Sequence, residues 1–319
     1  MAIPAVAGRT SRVRSKNTGV HLPFGVGLAF VLPAAALFGV FILYPMVAAL
    51  SYSFFEWTGT RQGGFSGFGN YVTLLTQAPY AHDLRNAFLH NLLLFGGAVV
   101  FQNTLGLAIA ALLHRRKRTK RLFQTVFALP YLVSPMVIGY LWSLMLSPLF
   151  GPVNAILRGV GLESFALPWL GDPTLAIWVV VGVTAWQWIG FPILLYGAAM
   201  GGISPEIDEA ASLDGATSWK RFRHITLPML TPTIGIITVL TFIGAMESMA
   251  IPFALGGSSG SPARSTDVMM LLFYRTAFEG GNANSIGVSS ALATVLFLFI
   301  FIVSVVITRV MRRAERRLF

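Results

Sequence analysis

The sequence predicts an all-α, polytopic membrane protein with six transmembrane helices and one short cytoplasmic helix between the fourth and the fifth. Three observations predict it. Of 319 residues, 55% are hydrophobic and only 11% charged, too few polar side chains to cover a globule of this size with an ordinary water-facing surface. Six apolar segments, at about 23–50, 86–113, 122–147, 174–200, 229–254 and 286–309, reach the roughly 20 residues that cross a bilayer. The basic residues lie in short blocks between these segments. A formal charge of +11 therefore does not describe a nucleic-acid binder, whose cations would form a stripe on a soluble domain.

The first segment, about Pro23 to Leu50, follows Arg9, Arg12, Arg14 and Lys16 in an N-terminal tail, 1–22. It is far longer than the apolar core of a signal peptide and is expected to be a retained span; a signal cleaved near Ala48 and Ala49 is the rival. The second and third spans flank the block "HRRKRTKR" from His114, and the fourth and fifth flank the segment 201–228. Prolines and uncharged polar residues within the spans are tolerable where helices pack together or line a cavity. With six spans both termini fall on one side. The two tails, the 114–121 block and the 201–228 segment hold 18 Lys and Arg, against 5 (Arg61, Arg85, Arg158, Arg264 and Arg275) in the other loops. That asymmetry puts both termini and the 201–228 segment in the cytoplasm.

The opposite loops carry turn signals: "GTRQGGFSGFGN", "SPLFGPVN", "PWLGDP" and "GGSSGSPARS". Val153, Ile156, Leu157 and Val160 recur at helical spacing, which predicts a short helix against the outer surface. "DVMMLLFY" from Asp267 is apolar but too short to cross, so an interfacial or re-entrant helix is expected. After the 23–309 six-span domain comes a basic tail, 310–319. Arg309, Arg312, Arg313, Arg316 and Arg317 share one helical face, an anchor for anionic lipid head groups, as is the His114 block.

Several chemistries are missing. None of the 4 lysines follows a glycine, so the phosphate-cradling G-x-x-x-x-G-K-[ST] loop does not occur. The 5 histidines are scattered, with no pair at metal-ligand spacing, and the chain has no cysteine, so no metal site is expected. "GGSSG" at Gly256 to Gly260 matches a nucleophile elbow in spacing but lacks the strand–turn–helix setting, so Ser258 reads as an ordinary loop serine and no catalytic residue is expected. A proton-coupled transporter is a rival, because intramembrane ionisable residues are functional by default. Glu247 is the one clear intramembrane acid or base.

The segment from Ile203 to Pro228 is built differently from its surroundings. Ser204 is a candidate cap, Pro205 suits a first helical position, and Glu206, Asp208 and Glu209 place negative charge at the positive end of the helix dipole. A helix from about 205 to 214 follows, with Gly215 as its stop, Ser218 starting a second turn and Pro228 leading into the fifth span. Ala210 and Ala211 keep one side thin for close approach of another backbone, while Glu209 and Asp214 supply charge. This is the profile of a docking element; an ordinary polar loop is the alternative.

Glu209-Ala210-Ala211, three residues, Gly215, nine residues, then Ile225-Thr226-Leu227-Pro228 resembles the complete EAA motif (E-A-A-x3-G-x9-I-x-L-P) of permease subunits of bacterial binding-protein-dependent ABC importers. "LPAAALFGVFILYPMVAALSYSFFEW", "FSGFGNYVTLL", "TVFALPYLVSPMVIGYLW" and "STDVMMLLFYRTAF" are similar to stretches of the sugar-importer branch, the maltose and glycerol-3-phosphate permease type. The resemblance covers all but the first twenty or so residues and the C-terminal tail. One departure stands out: the branch often has an aromatic-Asp pair and a Leu-Thr before the glycines of the last outer loop, where this chain reads "MESMAIPFALGGSSG".

The resemblance implies a transport subunit of the bacterial cytoplasmic (inner) membrane that catalyses no chemistry itself and binds no cofactor. ATP and Mg would lie on a partner ATPase dimer. A groove of that ATPase would receive the coupling helix, with Glu209, Ala210, Ala211, Asp214, Gly215, Ile225, Leu227 and Pro228 as the coupling residues. A second permease subunit would complete the pathway, and an extracytoplasmic substrate-binding protein would deliver a sugar. Related importers move polyamines, phosphate esters or metal complexes, so those cargoes stay open, as do a secondary transporter and a membrane enzyme or receptor. For substrate contact the candidates are Glu247 and Ser248 in the fifth span and Trp186 and Gln187 in the fourth, a stacking surface beside hydrogen-bonding groups. Packing and interhelical hydrogen bonding are the other reading of that tryptophan and glutamine.

Overall fold

Long apolar segments have nowhere in a bilayer to place unpaired backbone groups, so they fold as helices, and helices dominate this computed structural model. It describes residues 24–114, 116, 119–281 and 284–316. The N-terminal cations, Arg115, Lys117, Arg118 and Arg317 lie outside the described residues. The chain divides into two compact units, Met1–Ala48 and Ala49–Phe319. In chain order the helices are α1 (Leu28–Tyr52), α2 (Gly69–Thr76), α3 (Tyr80–His114), α4 (Lys120–Leu132) and α5 (Pro135–Met145). Then come α6 (Pro152–Gly159), α7 (Pro173–Trp188), α8 (Gly190–Gly201), α9 (Pro205–Leu213) and α10 (Ser218–Met229). The last are α11 (Thr231–Met246), α12 (Ala250–Gly256), α13 (Met269–Tyr274) and α14 (Ser285–Glu315). Three helices, α1, α3 and α14, are long and apolar enough to cross a membrane singly, and there are up to six spans if each bent pair counts as one.

Three of the six apolar segments are bent or broken. The third span is broken between α4 and α5 by 93°. Val133 and Ser134 are extended there, with ψ of 144° and 130°, because the residue before a proline is forced out of the helical region and Pro135 then starts a new helix. The fourth span bends by 40° between α7 and α8, and the fifth by 64° between α10 and α11. That fifth span was expected to reach residue 254, yet α11 stops at Met246. The chain turns at Met249, with φ of −136°, and α12 begins anew with Pro252 in its first turn, where a missing N–H costs nothing.

Other elements depart from expectation or meet it. Phe55–Thr58 and Arg61–Phe65 form a small antiparallel hairpin where only turns were expected. It is tied down by Asn284, whose Oδ1 accepts from the Trp57 N–H (2.9 Å) and whose Nδ2 donates to Asn70 Oδ1 (2.7 Å). The short outer helix is present as α6. Asp172 caps α7, accepting from the Thr174 N–H (2.8 Å) and hydroxyl (2.7 Å), and those bonds hold its carboxyl below the usual value. The 267–274 stretch forms the short helix α13, whose Met269, Leu271 and Leu272 are buried against α3 and α14. The helix of the sixth apolar segment runs on past 309, since α14 carries Arg309, Arg312 and Arg313 on one continuous helix.

The main core joins Leu74 of α2, Ala87 and Leu94 of α3, Val180 of α7, Phe242 and Met246 of α11 and Leu292 of α14. A second core, Ala110, Tyr196, Met200, Leu230 and Ile237, sits where α3, α8 and α11 meet at the end nearer α9. Small residues set the close contacts, as expected for helices packing without a hydrophobic drive between them. Gly139 of α5 lies against Ile251 and Ala254 of α12, and Gly190 against the α4 backbone at Phe127 and Ala128.

Candidate functional site

The breaks in the helices open a cavity of about 530 Å³ at their convergence. Its walls come from α3 (Leu94, Ala98, Gln102), the α4–α5 break (Pro135), the α7–α8 bend (Thr184, Trp188, Phe191), the end of α11 (Thr241, Gly244, Glu247, Ser248) and the start of α12 (Met249, Ile251). A mostly apolar wall with an aromatic ring and a few convergent polar groups is the usual composition of a small-molecule site. Glu247 and Ser248, both expected at substrate, line it.

Trp186 and Gln187 do not line it. Trp186 packs edge-on against Trp142, with centroids 5.6 Å apart. Gln187 is buried and donates from Nε2 to the Val133 carbonyl at 2.9 Å, supplying a partner for a carbonyl freed by the break before Pro135. The rotation is the reason: Thr184 and Trp188 are four residues apart on one face of α7, whereas 186 and 187 point elsewhere. The aromatic surface on the cavity is Trp188 with Phe191.

The end of α11 is held by Asn91, which is fully buried in α3. Its Nδ2 donates to the carbonyls of Ala245 (2.7 Å) and Met246 (3.2 Å), and its Oδ1 accepts from the Met269 N–H (2.8 Å). One amide thus fixes the point where α11 stops, where Glu247 begins and where α13 starts. Its sequence signal is a single asparagine inside an otherwise apolar run, "NLLLFGG".

A buried ionic cluster lies beside it. Asp267, with no exposed surface, receives Arg275 on both oxygens (2.6 and 3.2 Å), and Arg275 also donates to the Ser258 carbonyl at 2.9 Å. Asp83 of α3 pairs with Arg264 and lies 3.9 Å from Arg275. The cluster fastens the 257–267 loop to α3, and Ser258 serves it through its backbone. Its four residues lie outside the six apolar segments, so Glu247 keeps its place as the one clear acid or base within them.

On α9, Glu209 and Ala210 are exposed and Ala211 is half-buried, while Asp214 and Gly215 are exposed beyond its end. Ser204 is extended (ψ 130°) as a cap should be, but its side chain makes no capping bond. The stop at Gly215 is as expected: its φ is +76°, and the N–H groups of Asp214, Gly215 and Ala216 bond back to Ala210, Ser212 and Ala211. Ser218 starts α10 as expected, and Thr217 caps it, accepting from the Lys220 N–H at 3.4 Å. Arg221 joins the two helices by its 3.1 Å pair with Asp208. Ile225, Leu227 and Pro228 are half-buried within α10. Leu213 is 90% exposed and Trp219 65%, so this face offers apolar contacts as well as charge.

Residues 102–319 match the family of binding-protein-dependent transport system inner membrane components. The chain belongs to this family. It is 34% identical to the lactose transport system permease protein LacF of Rhizobium radiobacter, over 79% of this chain and 83% of that protein. It is 30% identical to the multiple sugar-binding transport system permease protein MsmF of Streptococcus mutans, over 91% of this chain and 96% of that one. Among solved structures it resembles a bacterial ABC transporter for import of the acidic polysaccharide alginate, at 26% identity, with a TM-score of 0.74, 92% coverage of this chain and 96% of that chain. The chain is therefore a membrane-embedded transport subunit, working in binding-protein-dependent transport.

Proposed function

We propose that this permease forms half of the translocation pathway of an ATP-driven ABC importer for a carbohydrate. The observation that carries the proposal is the exposed α9, with Glu209, Ala210 and Ala211 and its stop at Gly215, joined through α10 to α11, whose end lines the cavity. Docked in the ATPase dimer that binds ATP and Mg, α9 passes on the closure of that dimer. The break before α11 turns the motion into a change at Glu247 and Ser248. ATP binding then favours one of two packed arrangements of the spans. The carbohydrate assignment is supported by the lactose and multiple-sugar relatives and by a cavity pairing Trp188 with hydroxyl and amide groups.

The same reading places both termini, α9 and the basic blocks in the cytoplasm, the blocks resting on anionic lipid. A second permease closes the cavity, and a binding protein delivers cargo to the hairpin, α6 and the 257–267 loop. The test is a mild-detergent pull-down of the tagged chain, with mass spectrometry and an ATPase assay on the eluate. An ATPase and a second six-span protein should co-purify, and both the ATPase and its activity should be lost with Glu209→Lys. A folded chain that brings down no ATPase would overturn the proposal.

A further inference from the structure

Among the residues lining the cavity, Glu247 is the single charged side chain; the polar groups around it, Gln102, Thr184, Thr241 and Ser248, are neutral. It pairs with no cation among the described residues. On the α7 wall Thr184 lines the cavity, and its hydroxyl oxygen is buried without a hydrogen-bond partner. Glu247 follows the last residue of α11, so it projects beyond the helix at a point that Asn91 fixes.

We propose that Glu247 makes this cavity a charge filter, accepting neutral or cationic saccharides and refusing uronates and other anionic sugars. The inference rests on the carbohydrate reading above. A carboxylate only accepts hydrogen bonds, so neighbouring hydroxyls of a pyranose, or the ammonium of an amino sugar, donate to its two oxygens. An anionic sugar brings a like charge within a few ångströms of it, and none of the residues with which this chain lines the cavity is a cation that would offset the repulsion. A repulsive element against the wrong ligand is one of the two ways in which a site discriminates, beside better contacts to the right one. This chain then differs in selectivity from the importer of an acidic polysaccharide that it resembles.

The test uses the purified complex of this permease with its second permease and ATPase, without the binding protein. Thermal unfolding is followed against trisaccharides of glucose, glucosamine and glucuronic acid, each in α- and β-linked form, since a ligand raises the midpoint according to its concentration relative to Kd. The expected apparent affinity for the glucuronate trimer is roughly 10- to 100-fold below that for the neutral and amino trimers. Glu247→Gln abolishes the difference and Glu247→Asp keeps it, while the unliganded midpoint of each variant stays at the wild-type value. Equal binding of all three trimers by the wild type overturns the filter and leaves the carbohydrate reading standing, as does discrimination that survives Glu247→Gln. No shift with any saccharide overturns both.

Discussion

Gly215 and Asp267 show two ways in which one residue governs this permease. A Cβ added at Gly215 meets nothing within 4 Å, so any cost of substitution comes from its φ of +76°, about 1–2 kcal/mol for an ordinary side chain and less for asparagine. Uptake by the complete importer should fall in the order Gly, Asn, Val at 215, with membrane levels unchanged on a blot. Gly215→Asp adds charge at the proposed docking surface and should uncouple uptake from ATP hydrolysis. Asp267 is different, being buried and doubly bonded to Arg275. Asp267→Ala strands the arginine and should cost about 3–5 kcal/mol, read as a lowered unfolding midpoint in detergent. Arg275→Met in the same chain should restore part of it. The stop at Gly215 was legible in the sequence because a glycine just past a capped helical stretch is a local signal. The ionic cluster was not, because Asp83, Arg264, Asp267 and Arg275 are assembled from separate elements and each alone reads as a loop charge.

At the scale of the element, the prolines and glycines decide how straight runs become a cavity. Hydropathy places the spans because the hydrocarbon core demands about 20 apolar residues, but it is indifferent to their direction. "LVSPM" was therefore legible as part of a span and not as a 93° turn. The turn leaves the Val133 carbonyl for Gln187 to satisfy, and this is why that glutamine does not reach the cavity. Periodicity also identified α6, where Val153, Ile156 and Leu157 recur at helical spacing, but missed the hairpin, whose "RQGGF" strand has no alternation. The α4–α8 contact has its own requirement. A Cβ at Gly190 would run into the backbone of Phe127 and Ala128, and backbone cannot rotate aside. Gly190→Ala should therefore destabilise by about 1–3 kcal/mol through overpacking, whereas alanine at Gly182, with open space around it, should lie within about 0.5 kcal/mol of wild type after allowing for helix propensity. Comparing unfolding midpoints of the two variants separates crowding from a general effect of glycine loss.

Across the whole molecule, function depends on which loops face which side. The proposed orientation rests on charge: 18 of 23 Lys and Arg lie on the side it assigns to the cytoplasm, and the positive-inside bias is counted over such short loops. The fold is compatible with it, since α9 and the 257–267 loop are separated by α10 and α11 and by the bend between them. If α9 is the ATPase contact, it must be cytoplasmic, and the glycine-serine loop at 256–260 must then face the binding protein. The chain contains no cysteine, so single cysteines report without background. Ser212 on α9 and Ser259 in the outer loop are both exposed, and either position can take a small thiol. A membrane-impermeant maleimide added to intact spheroplasts should label Ser259→Cys and spare Ser212→Cys, with Ser212→Cys becoming labelled only after lysis. The reverse pattern would put α9 outside and remove the docking assignment, because no ATPase consuming cytoplasmic ATP reaches it there.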